Sequence, residues 1–202
     1  MDIQSLLEKS SRNHSHLCPR QILGVRMGML SAELLNLDLP QNNKRLLVIV
    51  ESDGCFADGV ATATGATVGH RTMRVEDYGK VAAVFADTQT GKAVRIAPAL
   101  DVRERANHYA PPGETRHYFA QLHGYQVMPL TEMFFIQEVV LHTPIKEIVS
   151  RPGIRVNCEA CGEEIINERE VEHKGILLCR ACAKGAYYQP AAIAVQLAQV
   201  SA

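Results

Sequence analysis

His14-Ser15-His16-Leu17-Cys18-Pro19 runs directly into an apolar stretch, Gln21 to Leu37, that holds Ile22, Leu23, Val25, Met27, Met29, Leu30, Leu34 and Leu35. Proline is favoured at the first helical position, where its missing N–H would have no partner anyway. The pattern therefore predicts a helix from Pro19 to about Leu37 with Cys18 at its N-cap. There the helix dipole and free backbone N–H groups favour a thiolate. Thiolate and imidazole together form the ligand set of zinc and other borderline metals. A small buried cysteine beside two surface histidines is the plainer alternative. Met27 and Met29 read as core residues of the helix.

Working outward, Ile3 to Arg12 reads as a short amphipathic helix with Ile3, Leu6 and Leu7 on one face. Gly24 and Gly28 lie four apart inside the second helix, where each glycine is less favourable than alanine by about 1 kcal/mol. Close packing against another backbone would explain them. Arg26 is the one charge on the buried side. Arg45 to Val50 is a continuous β-branched apolar run, read as a buried strand. It leads through the polar turn Glu51 to Cys55 into a small-residue helix, Phe56 to Gly65. Cys55 thus opens a helix, as Cys18 does, although a cysteine in a strand–turn–helix unit is more often a packing residue.

Thr67 to Tyr78 reads as loop and short strand with His70, Arg71 and Arg74 exposed. Lys80 to Ala86 and Lys92 to Ala97 alternate and are joined by Asp87-Thr88-Gln89-Thr90-Gly91, a β-hairpin. Asp101 to Tyr109 and Glu114 to Tyr125 read as helices, and Met133 to His142 as a strand. Pro144 and Pro152-Gly153 mark a boundary. The division expected is a domain over 1–150 and a second over 151–202.

The second domain carries the most specific signal. Cys158-Glu-Ala-Cys161 and Cys179-Arg-Ala-Cys182 are separated by 17 residues. Two such knuckles suit a tetrahedral structural zinc, with iron as the lesser option. A hairpin around Lys174-Gly175 and a short helix from Cys182 would complete a treble clef. A module this small depends on its metal for folding. Its acids, Glu159, Glu163, Glu164, Glu168, Glu170 and Glu172, outnumber its bases, Arg169, Lys174, Arg180 and Lys184. A nucleic-acid finger needs a basic stripe, so a clamp or protein-contact role fits better. The uncharged tail from Ala186 to Ala202 would suit packing against a partner.

The full chain has 202 residues, 47% hydrophobic and 21% charged, with a formal net charge of −1. That balance predicts an ordinary globular protein with no pull toward nucleic acid or anionic membrane. No apolar run approaches the ~18 residues of a membrane span. Met1-Asp2-Ile3-Gln4 lacks the basic start of a signal peptide, and the cysteine pairs read as metal ligands rather than disulfides. A reducing cytoplasm is the expected location.

Three blocks in order resemble the FmdE-like family, named for a component of formylmethanofuran dehydrogenase: His14-x-His16-x-Cys18-Pro19 with Gly24-x-Arg26; Cys55-x-x-Asp58 with Thr67-x-Gly69; and Asp77-Tyr78-Gly79-Lys80 leading to Gly91-Lys92-Ala93-Val94-Arg95. The C-terminal module is similar to the auxiliary zinc finger of some members. The resemblance implies an α+β fold, a mainly antiparallel sheet packed with helices, in a homodimer. It implies a cleft where His16, Cys18 and Cys55 are the metal or active-site residues, with His14 as a further ligand or a support. Asp58, Thr67 and Lys80 are weaker cleft residues. Arg20 stands where the family usually has glycine, and Ala66 where a further cysteine is expected. That leaves one histidine and two cysteines as the strongest core ligand set.

The resemblance also implies a link to one-carbon metabolism through a molybdenum or tungsten enzyme complex, whose other subunits would be partners. The chain has no run of closely spaced cysteines for a ferredoxin-type cluster and no segment assignable to a pterin. Two functions compete. One is a metal-dependent cleft protein with a second metal at His16, Cys18 and Cys55, acting as accessory subunit or alone. The other is a scaffold that docks through its finger. Whether catalysis occurs is left open by the sequence.

Overall fold

A computed structural model describes residues 2–12, 14 and 16–189 of the chain. The Pro190 to Ala202 part of the uncharged tail lies outside the described residues. The chain divides into two compact units, residues 1–149 and 150–202.

The first unit is built on two crossed helices. Helix α1 (Ile3–Ser11) is capped by the Asp2 carboxylate, which accepts the Ser5 N–H at 3.1 Å. Helix α2 (Pro19–Leu35) has Cys18 at its N-cap, as the sequence predicts. The buried Gln21 side chain accepts the Cys18 N–H at 2.8 Å and donates to the Ser10 carbonyl at 3.1 Å, tying α1 to the start of α2. The helix stops two residues short of the expected Leu37. Asn36 adopts a left-handed conformation (φ 51°), which asparagine tolerates, and the chain turns out.

Strand β1 (Leu46–Val50) leads into helix α3 (Cys55–Thr64). Helices α2 and α3 cross in backbone contact. A Cβ placed on Gly24 would lie 2.3 Å from the Phe56 carbonyl oxygen, and one on Gly59 2.3 Å from that of Gln21. The spaced glycines of α2 therefore mark a close helix–helix crossing.

Strands β2 (Met73–Val75), β3 (Ala83–Asp87), β4 (Ala93–Pro98) and β5 (Phe134–Glu138) complete a five-stranded sheet in the order β2-β1-β3-β4-β5. The β1–β2 pairing is parallel and the other three antiparallel. The fold is α+β, mainly antiparallel, as expected. Alternation along β1 divides its faces. Leu46, Val48 and Val50 enter the main core with Ile22, Val25, Phe56 and Phe85, whereas Leu47 packs with Ala86 and Ala93 on the other side.

That second side is covered by the end of the expected strand and by a short helix between the two expected boundary markers. Helix α7 (Ile145–Val149), with Val139 and Leu141, packs over Leu47. Arg71 and Arg74, expected to be exposed, are half-buried. Their guanidinium groups donate to the carbonyls of Val149 and Ile148. The error came from reading charge as exposure, because an arginine fork satisfies the open carbonyls at a helix end.

The expected helix over 101–109 is a short α4 (Val102–Arg105) continued by a 3-10 turn, Ala106–Tyr109. Helix α5 (His117–Val127) is followed by the one-turn α6 (Leu130–Met133), which the sequence reading did not place and which takes Met133 from the start of the expected strand. Arg26 hydrogen-bonds the carbonyls of Tyr125, Gln126 and Met128 at 2.8–2.9 Å, closing the end of α5. No helix among the described residues is long and apolar enough to cross a membrane.

The second unit has a knuckle, a hairpin and a helix. Strands β6 (Arg155–Asn157) and β7 (Glu164–Ile166) pair on either side of Cys158 and Cys161. Gly162, at φ 77°, makes the turn and donates its N–H to the Cys158 carbonyl. Strands β8 (Val171–His173) and β9 (Ile176–Leu178) form the hairpin about Lys174-Gly175. Helix α8 (Arg180–Lys184) begins earlier than expected, with Cys179 rather than Cys182 at its start. This is the treble-clef arrangement.

Candidate functional site

Two groups of candidate side chains stand apart in chemistry. In the second unit, the Sγ atoms of Cys158, Cys161, Cys179 and Cys182 all lie within 4.8 Å of one another. Among the described residues this is the only such group of three or more His, Cys, Asp or Glu donors. Backbone N–H groups aim at the sulfurs. Cys179 donates to Cys158 Sγ at 3.2 Å and Cys182 to Cys179 Sγ at 3.4 Å. These bonds, Cys179 N–H first, pull the Cys158 thiol down to about 6, whereas the crowd of neighbouring sulfurs, Cys179 first, pushes Cys182 up to about 12. Thiolates packed so closely repel one another until a cation neutralises them. The four donors therefore fit a tetrahedral thiophilic ion.

In the first unit, the α2–α3 crossing brings together the two cysteine-bearing N-termini. Cys18 and Cys55 are half-buried and not joined in a disulfide. Burial first, and then the adjacent Cys18 thiol, push the Cys55 thiol up. His14 lies beside them with Nδ1 3.9 Å from Cys55 Sγ. Its Nε2 is 2.8 Å from Asp58 Oδ2, one helical turn on from Cys55. Carboxylate, imidazole and thiol thus stand in a row, with the carboxylate fixing the ring. A carboxylate on the far nitrogen is how proteins orient a ligand histidine.

Both thiols open into a cleft of about 810 Å³. His16, Cys18, Cys55 and Lys80 line it, as the sequence reading expects of cleft residues. Asp58 reaches the site through His14 and is not part of the wall. Thr67 is not there either. Its hydroxyl accepts the His70 N–H and its carbonyl the N–H groups of Thr72 and Met73, so it shapes the turn before β2. The donors of His14, His16, Cys18 and Cys55 are not drawn together as tightly as the finger sulfurs.

The sequence reading missed much of the wall. Arg20, singled out only as a departure, lines the cleft, and so do Arg95, Arg103, Tyr118, Gln121 and Tyr125. Tyr118 donates to the Leu17 carbonyl at 3.3 Å. Burial first, then Cys18 and Cys55, push its hydroxyl up. Lys80 is set by the Asp77-Tyr78-Gly79-Lys80 turn. Gly79 sits at φ 65° with its N–H on Asp77 Oδ1, and the Glu51 carbonyl accepts the N–H groups of Tyr78 and Lys80. Glu51 in turn holds Arg95 through two bonds of 2.6 and 2.7 Å. The α5 wall carries Gln121 and Tyr125 four residues apart. That periodicity was visible, but not which helix faced the cleft.

A family model described as "FmdE, Molybdenum formylmethanofuran dehydrogenase operon" matches residues 13–134, a span that holds all the core candidates. A probable S-adenosyl-L-methionine-binding protein of Archaeoglobus fulgidus is 29% identical over 202 residues, covering 91% of this chain and 53% of that protein. The chain thus spans about half the length of this relative. A crystal structure of a tungsten formylmethanofuran dehydrogenase FmdE-like protein from Syntrophus aciditrophicus superposes with a TM-score of 0.55 at 22% identity, covering 94% of this chain and 96% of that one. That likeness supports the fold. The family model covers more than half of the chain and takes in every block of the core motif, so the chain belongs to the FmdE, molybdenum formylmethanofuran dehydrogenase operon family.

Proposed function

We propose that this chain is a metal-dependent cleft protein of one-carbon metabolism, linked to molybdenum or tungsten formylmethanofuran chemistry as an accessory subunit or a stand-alone protein. The observation that carries the reading is the convergence of Cys18 and Cys55, at two helix N-termini, on one cleft, with His14 beside Cys55 just outside the wall. Two thiols and an Asp-held imidazole are a fitting donor set for a transition metal, with His16 in the same wall. Such an ion would act as a Lewis acid on an oxygen-bearing ligand. The protein's part is to hold the two thiols at helix N-termini, fix the His14 ring through Asp58 and keep Tyr118 beside the sulfurs. In the finger, zinc is the proposed ion and its role is structural. The S-adenosyl-L-methionine named for the Archaeoglobus relative is not part of this reading.

Metal content per chain tests the assignment. Elemental mass spectrometry on the full chain should give two ions, falling to one in Cys18→Ser while circular dichroism keeps the native melt. Full metal content in Cys18→Ser would end the idea of a core site. A homodimer in the cytoplasm is part of the reading, and sedimentation velocity tests the dimer.

A second reading has its own support. The finger unit exposes Ile166, Ile176, Tyr187 and Tyr188 beside its excess of glutamates. Exposed aromatic and aliphatic groups of this kind suit a docking arm. If the finger is the arm, deleting residues 150–202 abolishes co-purification with a partner subunit. An unchanged pull-down would dismiss it.

A further inference from the structure

We propose that the cleft takes a small oxyanion-bearing ligand, a carboxylate or a phosphate, whose charged group sits among Arg20, Lys80 and Arg103 and whose remainder reaches the two thiols. This rests on the cleft of the proposed function but not on its metal.

The wall contains four permanent cations and no aspartate or glutamate, in a chain whose formal net charge is −1. Arg95 is neutralised by Glu51. Among the described residues, Arg20, Lys80 and Arg103 have no carboxylate within ion-pair distance. Lys80 meets only the Tyr78 ring, 5.9 Å away. Three uncompensated cations on one concave surface raise the local concentration of anions. The N-termini of α2 and α3, 17 and 10 residues long, open at the same place and add field of the same sign.

A second, independent observation comes from α5. Tyr125 is 1% exposed and lines the cleft, yet no described group hydrogen-bonds its hydroxyl. The hydroxyl is not among the fully buried, unpartnered side-chain atoms, so it keeps access from the cleft and can donate to a group bound there. Burial pushes it up to about 12, so it stays a donor at neutral pH. Gln121, one turn earlier, offers an amide to the same space. Donors, cations and no acceptor carboxylate describe a site for an oxyanion. Leu23, Val81 and Val102 give it an apolar wall, and 810 Å³ falls within the ~300–1,000 Å³ of small-molecule sites.

The thiols supply the test. Full-length protein of measured metal content is treated with iodoacetate or with neutral iodoacetamide, and alkylation at Cys18 and Cys55 is read by peptide mass spectrometry. Relative to the same peptides in the urea-unfolded chain, the iodoacetate preference should rise about tenfold. It should fall back in Arg20→Gln/Arg103→Gln, whose replaced side chains are at the surface. Inorganic phosphate and succinate are added separately, and whichever slows alkylation names the preferred oxyanion. A preference equal to that of the unfolded chain, or unchanged in the double variant, overturns the proposal. If a core metal masks both thiols, calorimetric titration of the loaded chain with phosphate and with succinate decides. Absent heat, or heat unaltered in the double variant, overturns it equally. A chain with no core metal that still prefers iodoacetate would retain this inference and lose the metal reading. A metal-loaded chain with no anion preference would do the reverse.

Discussion

The α2–α3 crossing allows a sharp prediction. Alanine in place of Gly24 or Gly59 would set a Cβ 2.3 Å from a backbone oxygen, with a backbone nitrogen within 3.0 Å as well. Neither atom can swing aside, so the helices must separate by roughly 1 Å to reach ordinary contact, and that gap forfeits a quarter to a half of each contact well along the seam. The seam includes Ile22, Val25, Phe56 and Val60, all fully buried. Overpacking of this kind costs about 3 kcal/mol or more, against about 1 kcal/mol regained from alanine's helix propensity. Each variant should therefore lose about 2–3 kcal/mol. Gly28→Ala would set a Cβ 2.6 Å from Ala63 Cβ, an atom fixed to its own backbone, and should also be destabilised, though less, because this overlap is the smaller one. Gly69→Ala has open space and no positive φ, and should be neutral or slightly stabilising. Urea unfolding of the four variants, with unchanged m-values, gives the series. Equal stability of Gly59→Ala and the native chain would refute the backbone-contact argument.

Three further outcomes follow from individual contacts. Arg95→Ala would strand the Glu51 carboxylate, whose side chain is 8% exposed, and should cost about 3–5 kcal/mol in urea, with Glu51→Gln/Arg95→Met recovering much of it; additive losses in that cycle would contradict the pairing. The Arg45 guanidinium holds the Asp87 carboxyl down to about 2 from 3.8. A depressed carboxyl stabilises the folded chain above its unfolded pKa and loses that stability as pH falls through about 2. The contribution is at most about 2 kcal/mol, since Arg45 is one-third exposed. Asp87→Asn should flatten the urea midpoint between pH 4 and 2, and an unaltered acid profile would count against it. Cys158→Ser, or chelation, should collapse the finger while the residue 1–149 unit keeps its amide-exchange protection. Finger amides still protected without metal would show that the ion is dispensable for folding.

How much of this was legible depended on whether the signal was local. Cys18 at an N-cap, Cys55 opening a helix and the two finger knuckles follow from residue chemistry at short spacing, and each stands where the sequence placed it. The glycines of α2 pointed to a close neighbour but could not name α3, because contact partners lie outside any window of sequence. The parallel β1–β2 pairing was likewise invisible, since β2 has only three residues and one fully buried side chain. Arg71 and Arg74 misled because their partners, the carbonyls of α7, carry no side-chain signature. The cleft wall was the least legible part. Arg103 and Tyr125 look like ordinary members of amphipathic helices until the fold turns them toward Cys18.

Scaffold and wall are therefore separable. The thiols sit one to two turns from a crossing locked by backbone contact, and Lys80 hangs from the Glu51 carbonyl at the end of β1. Neither depends on what Arg20 is. Arg20 is exposed, at the second position of α2, and its place in the structure is the cleft wall. Where a family member carries glycine there, the crossing and the thiols need not move, but one cation is gone from beside the sulfurs. If the cleft takes the oxyanion proposed above, exchanges at such positions would change which ligand it prefers while leaving the fold intact. On that proposal, Arg20 is the wall residue whose exchange tests ligand preference most directly, because it lines the cleft without bearing on the crossing.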